Sequence, residues 1–425
     1  MNVLIVGGGG REHAIAHAVA RSPRCDKLFC APGNAGTDAL GHNLPIDAMD
    51  FDALVDAARA CEVGLTVVGP EAPLCAGIVD RFRQAGLRVF GPTQAAARIE
   101  GDKAYAKRLM RSADIPTAGG RVFTQFADAR AFVATRETGV VVKAAGLAAG
   151  KGVIVCDDPA DAILALERIM VDRQFGDAGR CVVVEEILQG TELSVFALVA
   201  GRTLYVLDTA QDYKKAGEKD TGPNTGGMGA YSPAVGVTAE LFTTVERGIL
   251  TPIVDVMERE GSAFCGLLYA GLMLTPGGPK VLEFNCRFGD PETQAVLPRI
   301  KSGFLEALDA AVDDRLEDVE IDWDPRPAVT VVMASAGYPG PFEKGKVIHG
   351  LGEAAAVPDV AVFHAGTRRL EHLIVTNGGR VLAVTGVGAD VAAARHCAYE
   401  AVERIRFENA YYRRDIAAGI PPASS

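Results

Sequence analysis

Glu283 and Asn285 stand two positions apart, with Phe284 between them. On a strand, alternate side chains share a face, so a carboxylate and an amide oxygen point one way and Phe284 points into a core. These are hard oxygen donors, suited to Mg²⁺ shared with nucleotide phosphates. The tripeptide alone is common, but its sequel adds weight. Arg287 to Gln294 sets a guanidinium, two acids and a Gly289-Asp-Pro turn beside the same face. A guanidinium is suited to a bidentate grip on a carboxylate. The same alternation turns Cys286 away from the metal face.

Three glycine-rich stretches could handle phosphate. Gly146-Leu-Ala-Ala-Gly150-Lys151-Gly152 resembles a P-loop superficially. It is one residue short between its glycines, and Gly152 stands where a Ser or Thr would hold Mg²⁺. It joins strand to strand, which reads as a flap over phosphates with Lys143 and Lys151 as cations; an ordinary hairpin loop is the alternative. Gly7 to Gly10 lets backbone N–H groups approach a phosphate at a helix start, although a purely structural tight turn stays open. A nicotinamide site is disfavoured. The fingerprint's sixth position is Glu12 or His13, and the second strand ends Cys30-Ala-Pro-Gly-Asn34 without the acid for a ribose. The third stretch, Lys219 to Tyr231, follows Asp212, Lys214 and Lys215; a long polar loop of this kind is more often functional than idle. Glu185 and Glu186 end a strand. They are either solvated or form a hinge for a purine amino group and ribose hydroxyls, with Glu192 as a further ribose ligand.

These residues need elements to hold them. Up to about residue 100, apolar runs (Val3–Val6, Lys27–Cys30, Leu65–Val68, Leu87–Phe90) alternate with helical patterns (Arg11–Arg21, Ile78–Ala85), which predicts a parallel sheet. A connecting helix is expected over 102–114, stopped before Pro116. Strands are expected at 140–143, 153–156 and 181–184, with a helix over 158–171. Further strands fall at 193–200 and 203–209, and a helix near 238–260. A hairpin runs 267–275 and 280–285 around Pro276 to Pro279. The last hundred residues read as short strands, a hairpin turn at Asn377-Gly378-Gly379 and a helix over 389–405.

Composition bounds the function. The 425 residues suggest roughly three domains, and 48% hydrophobic with 23% charged residues is ordinary for a globular chain. The net charge of −11 makes it a poor general partner for nucleic acid or anionic membrane. No apolar run is long enough to span a bilayer, and neither terminus reads as a signal peptide or lipidation site. Nine scattered cysteines without a Cys-x-x-Cys pair are expected to be reduced thiols in a cytoplasmic protein, not disulfides or a zinc site.

At this point a family resemblance becomes plain. Gly9-Gly-Arg-Glu-His-Ala14, Ala31-Pro-Gly-Asn-Ala-Gly36, Val68-Gly-Pro-Glu-Ala-Pro-Leu74, Gly146–Gly152, Lys219–Ala230 and Arg287–Gln294 together resemble the glycinamide ribonucleotide synthetases of the ATP-grasp superfamily, over essentially the whole chain. The resemblance implies an α/β and α+β multidomain fold: a Rossmann-like N-terminal domain (1–101), a linker helix (102–121), a small ATP-grasp lid (122–188), a central ATP-grasp domain with the metal site (189–322) and a β-rich C-terminal domain (323–425). It implies a monomer that uses ATP and Mg²⁺ or Mn²⁺ to join glycine to 5-phosphoribosylamine through a glycyl phosphate. By the same resemblance Glu283 and Asn285 hold the metal. Lys103, Lys143, Gly146, Gly150, Lys151, Gly152, Glu185, Glu186 and Glu192 meet ATP, as does Met273 by packing on adenine, with an ordinary core methionine as its alternative. Arg287, Asp212, Lys214 and Lys151 serve the reaction. Gly9, Gly10, Arg11, Glu12, Asn34, Glu71, Asp220, Asn224, Gly226, Gly227, Arg287 and Asp290 meet the substrates.

Some residues depart from the family pattern, which has Asp at Ala145, His at Tyr213 and Arg at Lys215. Many relatives also carry an acid on the strand before the metal Glu, where this chain has Ala270-Gly-Leu-Met273. Another ATP-grasp carboxylate–amine ligase is the alternative enzyme, and a catalytically silent nucleotide-binding protein the alternative class. The Asp220-Thr-Gly-Pro-Asn224 run argues against the first, and the presence of Lys143, Glu283, Asn285 and Arg287 against the second.

Overall fold

The structure is a computed structural model and describes residues 1–148 and 150–421. The N-terminal region is built from β1 (Asn2–Gly7), α1 (Gly10–Ala20), β2 (Lys27–Pro32), β3 (His42–Asn43), α2 (Phe51–Ala60), β4 (Val63–Val68), α3 (Glu71–Cys75), α4 (Ile78–Gln84) and β5 (Val89–Phe90). Its strands form one parallel sheet, ordered β3-β2-β1-β4-β5. β1 is flanked on both edges and covered on both faces, so Val3 to Val6 are fully buried. The strand expected from Leu87 begins at Val89, although Arg88 O still accepts from Thr66 N–H at 3.0 Å. Helices α5 (Gln94–Gly101) and α6 (Lys103–Ser112) then lead out of the sheet, each capped by the residue before it: Thr93, and Asp102, which accepts from the N–H groups of Ala104 and Tyr105.

The lid is a four-stranded sheet ordered β6 (Gly120–Phe123), β9 (Val182–Glu186), β7 (Val140–Ala144), β8 (Val153–Cys156), backed by α7 (Phe126–Ala134) and α8 (Pro159–Leu166). A wider π turn at Glu167–Val171 extends α8 over the rest of the expected helix. The central sheet is antiparallel: β11 (Thr203–Val206), β10 (Thr191–Ala200), β16 (Cys265–Thr275), β17 (Gly278–Asn285). The expected 238–260 helix is α9 (Ala239–Val245) and α10 (Thr251–Arg259), joined by a second π turn.

The polar stretch between β11 and α9 carries β12 (Gln211–Asp212), β13 (Lys215–Gly217), β14 (Thr221–Asn224) and β15 (Gly229–Ser232). β13 and β14 form a hairpin, while β12 and β15 join a distant sheet ordered β12-β15-β20-β24-β21, with β20 at Ala328–Ala334, β21 at Val360–His364 and β24 at Arg380–Val387. A cut at 322/323 therefore crosses a continuous sheet. The Asn377–Gly379 turn does not close a hairpin. It carries the chain from β23 (Leu373–Thr376), which pairs with β22 (Thr367–Leu370), into β24 in another sheet. The hairpin turn lies instead at Glu371–His372, where Glu371 has φ +53°. Asn-Gly favours a hairpin through its tolerance of φ > 0, and Asn377, Gly378 and Gly379 all keep φ outside that region. The final helix covers Val391–Arg404, with Asp390 accepting from Ala393 N–H.

α1 is clamped between the first and last regions. His13 Nδ1 accepts from His364 N–H at 2.7 Å, and Asn34 Nδ2 donates to His364 O at 2.8 Å. Burial, then the neighbouring imidazoles of His364 and His17, lowers the His13 pKa to about 3; burial, then Arg369, lowers that of His364 to about 4. Both folded values lie below the unfolded value, so the folded state binds fewer protons. The stability that neutral histidines supply is complete above the unfolded pKa of about 6.5. It is lost as pH falls toward about 4 and then about 3. The melting temperature is expected to fall over that window less steeply in His13→Asn, which keeps a neutral acceptor; parallel curves for the two proteins would contradict this.

Candidate functional site

Between the lid, the central sheet and helices α5 and α6 lies a cleft of about 790 Å³, counted to its open mouth. Ile99, Ala106, Met110, Val153 and Leu282 supply apolar wall, and Lys103, Lys143, Glu283, Asn285, Arg287 and Glu71 bring charge and polarity to it. The lid strands deliver Lys143. Its Nζ lies 2.7 Å from Glu185 Oε2 and donates to Leu282 O at 3.0 Å. Glu185 is buried and also pairs with Lys107 at 2.6 Å, so its carboxylate orients two lysines and is neither solvated nor free for a ribose. Lys143→Met is expected to weaken binding of a nucleoside triphosphate in this cleft about tenfold, the loss of one charge-assisted contact. Equilibrium titration reads it, and an unchanged affinity would take Lys143 out of any anion-binding role here.

Glu283 and Asn285 reach the cleft from β17 while Phe284 is buried in the core behind. The register of β17 against β16 shifts at Leu282: Gly271 faces Glu283, and Leu272 faces Val281. Burial alone would raise the Glu283 pKa; Lys214, Lys103, Lys143 and Arg287 together hold it below the ordinary carboxylate range. That carboxylate is therefore ionised, as a metal ligand must be. Among the described residues no group of three or more His, Cys, Asp or Glu side chains is spaced to hold a metal. Two hard oxygen donors nonetheless fit a Mg²⁺ site that phosphates and water complete.

Arg287 projects toward the N-terminal region. Its Nη2 lies 3.0 Å from Glu100 Oε1 and its Nη1 donates to Phe288 O at 3.1 Å. Nε lies 3.4 Å from Glu71 Oε2 but is too poorly aligned to bond, leaving a buried donor without a partner. Burial works against the Glu71 carboxylate, yet Arg287 and Arg11 bring its pKa down to about 2. Glu100 is raised, since burial and Glu71 outweigh Arg287. It also accepts from Cys286 N–H at 2.8 Å.

Asp212 and Lys214 stand near Glu283 of β17, with Lys214 among the charges acting on its carboxylate. Lys214 pairs with Glu192 and lies 3.9 Å from Asp212. Burial, opposed by Lys214 and assisted by Glu292 and Glu192, pushes Asp212 up to about 7. Glu292 Oε1 accepts from Tyr269 OH at 2.7 Å, and Tyr269 OH lies 2.9 Å from Ser194 Oγ.

The α1 turn is already supplied with anions. Glu12 Oε2 accepts from Gly9 N–H at 2.6 Å, and Glu12 Oε1 accepts from Arg11 Nε at 2.6 Å. Gly7 has φ +123°, and a Cβ there would meet Glu12 Cγ at 2.6 Å. A phosphate at Gly9 N–H would compete with this built-in carboxylate. Asn34 Nδ2 donates to Gly8 O at 3.0 Å. Asp290 is held by Arg380 at 3.3 Å and by Gln294 Nε2 at 2.8 Å. Gly227 has φ +112°, and a Cβ there would lie 2.3 Å from Pro291 Cδ; Gly226 O accepts from Arg380 Nη1 at 2.5 Å.

Several expected contacts fall elsewhere. Gly150 and Gly152 line the cleft, but Lys151 is exposed and donates to Pro339 O at 3.2 Å, toward the C-terminal region. Gly146 packs on Ala178, where a Cβ would come within 2.7 Å of the backbone. Glu186 faces outward to Gly119 N–H at 2.8 Å and Lys280 at 3.2 Å. Met273 pairs with Glu192 across the sheet, beside Gly190, and is absent from the cleft lining; Met110 takes a place there instead. Asp220 pairs with Arg413 at 2.9 Å, and Asn224 faces Lys215 within the β13–β14 hairpin. Lys107 and Glu100 went unread in the sequence. Lys107 had a signal, lying one helical turn after Lys103; Glu100 and Arg413 had none.

Three family comparisons match nearly the full length. Residues 1–100 match the N domain of phosphoribosylglycinamide synthetase, 101–293 its ATP-grasp (A) domain and 328–419 its C domain. The phosphoribosylamine–glycine ligase of Rhodopirellula baltica is 51% identical over 423 residues, covering 98% of this chain and 97% of that one. The crystal structure of phosphoribosylamine–glycine ligase from Thermotoga maritima superposes with a TM-score of 0.86 at 36% identity, covering 98% of this chain and 100% of that one. The biotin carboxylase domain of Hydrogenobacter thermophilus 2-oxoglutarate carboxylase, a MgADP complex, has a TM-score of 0.71 at 13% identity, covering 97% of this chain and 91% of that one, which shows a common fold.

Proposed function

Since the chain belongs to the phosphoribosylglycinamide synthetase family and is thereby an ATP-dependent phosphoribosylamine–glycine ligase of purine biosynthesis, we propose how its residues share the reaction. Glycine's carboxylate attacks the γ-phosphorus of ATP, ADP leaves, and a glycyl phosphate forms. The amine of 5-phosphoribosylamine then attacks the acyl carbon, loses a proton, and inorganic phosphate leaves, giving glycinamide ribonucleotide. No side-chain nucleophile is needed; the work is positioning and charge neutralisation.

The observation that carries this reading is that Glu283, Asn285, Lys103, Lys143 and Arg287 meet in one cleft. Glu283 and Asn285 would hold the divalent ion, magnesium in our reading, with manganese the alternative. Such an ion, when bound, draws charge from the terminal phosphates. Lys103 and Lys143 offset the remaining charge. Met110, Val153 and Leu282 offer the base an apolar wall, and the backbone at Glu185–Glu186 a polar edge. Arg287, with its unpartnered Nε, grips glycine's carboxylate. The acids Asp212 and Glu292 receive its ammonium group, with Lys214 holding Asp212 in place. Glu71, Asp290, Asn224, Gly226 and Gly227 face phosphoribosylamine. Lys151, on the loop over the cleft, reaches phosphate only by leaving Pro339.

Among the described residues no helix is long and apolar enough to cross a membrane. A cytoplasmic monomer acting on small molecules completes the reading. A coupled ADP-release assay with ATP, glycine and phosphoribosylamine withheld in turn tests it. Full turnover is expected only with all three. Undiminished ADP release without glycine would point to a different carboxylate substrate.

A further inference from the structure

The chain beyond its last helix folds back on the hairpin formed by β13 and β14. Arg413 is among the largest fully buried side chains, 1% exposed. Its Nε and Nη2 each donate to Asp415 at 2.8 Å, and its Nη1 donates to Asp220 Oδ1 at 2.9 Å and to Lys215 O at 3.0 Å. Asp415 Oδ2 also accepts from Lys219 N–H at 2.7 Å. Tyr411 OH donates to Ala216 O at 2.7 Å, and Ala417 N–H donates to Tyr213 OH at 3.0 Å. The Arg413 guanidinium lies over the Tyr213 ring, 5.1 Å from its centroid.

The hairpin needs such support. It contains Gly217 and Gly222 and continues into Gly226, Gly227 and Gly229, and glycine carries the largest backbone entropy to be fixed. Its own ladder is short and irregular, pairing Lys215 with Asn224 and Gly217 with Thr221. Yet its base must be placed closely. Lys214 O accepts from Thr225 N–H at 2.7 Å and Thr225 Oγ1 at 2.9 Å, while the Lys214 side chain pairs with Glu192 beside Asp212. Buried, charge-assisted hydrogen bonds from a planar guanidinium fix geometry better than any contact the hairpin makes by itself.

We propose that Arg413 is a positioning residue for phosphoribosylamine: through Lys215, Asp220 and Asp415 it sets the place of Lys214 and of the Asn224–Gly227 turn. This rests on the reading that the turn meets phosphoribosylamine. Removing the clamp lets the turn wander by a fraction of an ångström or more, which penalises the substrate it orients and spares ATP.

The test compares Arg413→Met, Arg413→Lys, Asp415→Asn and Asn224→Ala in the full-length enzyme. Phosphoribosylamine is generated in solution from ribose 5-phosphate and ammonia. Arg413→Met is expected to raise the phosphoribosylamine KM about tenfold or more, with the ATP KM within about twofold and Arg413→Lys recovering part of the loss. Asp415→Asn, a milder break of the same clamp, should move the phosphoribosylamine KM in the same direction, and it carries the test should Arg413→Met fail to fold. If Asn224→Ala raises that KM while the folded clamp variants do not, the positioning role is overturned. If Asn224→Ala leaves it unchanged, the turn does not meet this substrate and the reading beneath the proposal fails first. A uniform rise in the ATP and phosphoribosylamine KM values would show a merely structural role.

Discussion

Glu283→Gln is expected to lower kcat by about 10²–10³-fold, the scale seen when a preorganised electrostatic contact is lost. Glutamine keeps the shape, one oxygen and the strand position, and gives up only the charge. That charge is the counterweight to Lys214, Lys103, Lys143 and Arg287, which together hold the Glu283 pKa down against burial. Without it the ion would lose its anionic protein ligand, and the cleft lining would carry one more positive than negative charge. The Mg²⁺ concentration for half-maximal rate should therefore rise along with the fall in kcat, and excess Mg²⁺ should restore part of the rate. A depressed carboxylate pKa also means stability present above the unfolded value and lost as pH falls through the folded one. The variant should lack that component and show a flatter acid limb in its melting curve. Near-normal turnover at ordinary Mg²⁺ would remove Glu283 from the metal site.

Arg287→Lys is expected to raise the glycine KM about 10- to 100-fold, as a planar fork is replaced by a point charge, with kcat reduced less. The choice of lysine matters. Arg287 stands 3.0 Å from Glu100 and 3.4 Å from Glu71, and an apolar replacement would strand buried acids at about 3–5 kcal/mol, mixing a folding defect with a binding one. Lysine keeps the positive charge and forfeits the geometry, including the Nε donor that no protein atom satisfies. Glycine titrations at saturating ATP and phosphoribosylamine read the effect directly. An unchanged glycine KM would assign the Arg287 guanidinium wholly to the Glu71–Glu100 network.

Local pattern carried the sequence reading a long way. Alternation put Glu283 and Asn285 on one face and Phe284 in the core, and the parallel sheet followed from apolar runs between helical patterns. Alternation gave less where the ladder slips: the register shift opposite Leu272 is invisible in composition. Met273, expected from the resemblance to meet ATP or else to be an ordinary core methionine, lies beside Gly190. Asn377-Gly378-Gly379 has the residues of a hairpin turn, but what it joins depends on which strands are neighbours in space. Pairings across hundreds of residues left no trace in short motifs. Arg413 with Asp220, His13 with His364 and Arg287 with Glu100 belong to this class. Lys107 with Glu185 was within reach, since its helix already carried Lys103 one turn earlier.

The sheet that unites β12 and β15 with β20, β21 and β24 has a consequence for how the enzyme comes into being. Protein synthesis is vectorial, and regions generally fold as units from the N-terminus. Here Gly229–Ser232 finds its partner strand, Ala328–Ala334, only about a hundred residues later. The ribosome will therefore have released the nucleotide cleft's own strands well before the acid–lysine corner beside it can set. A nascent chain ending near residue 320 should retain nucleotide and yet ligate nothing, so that catalytic competence arrives as one of the last events of translation.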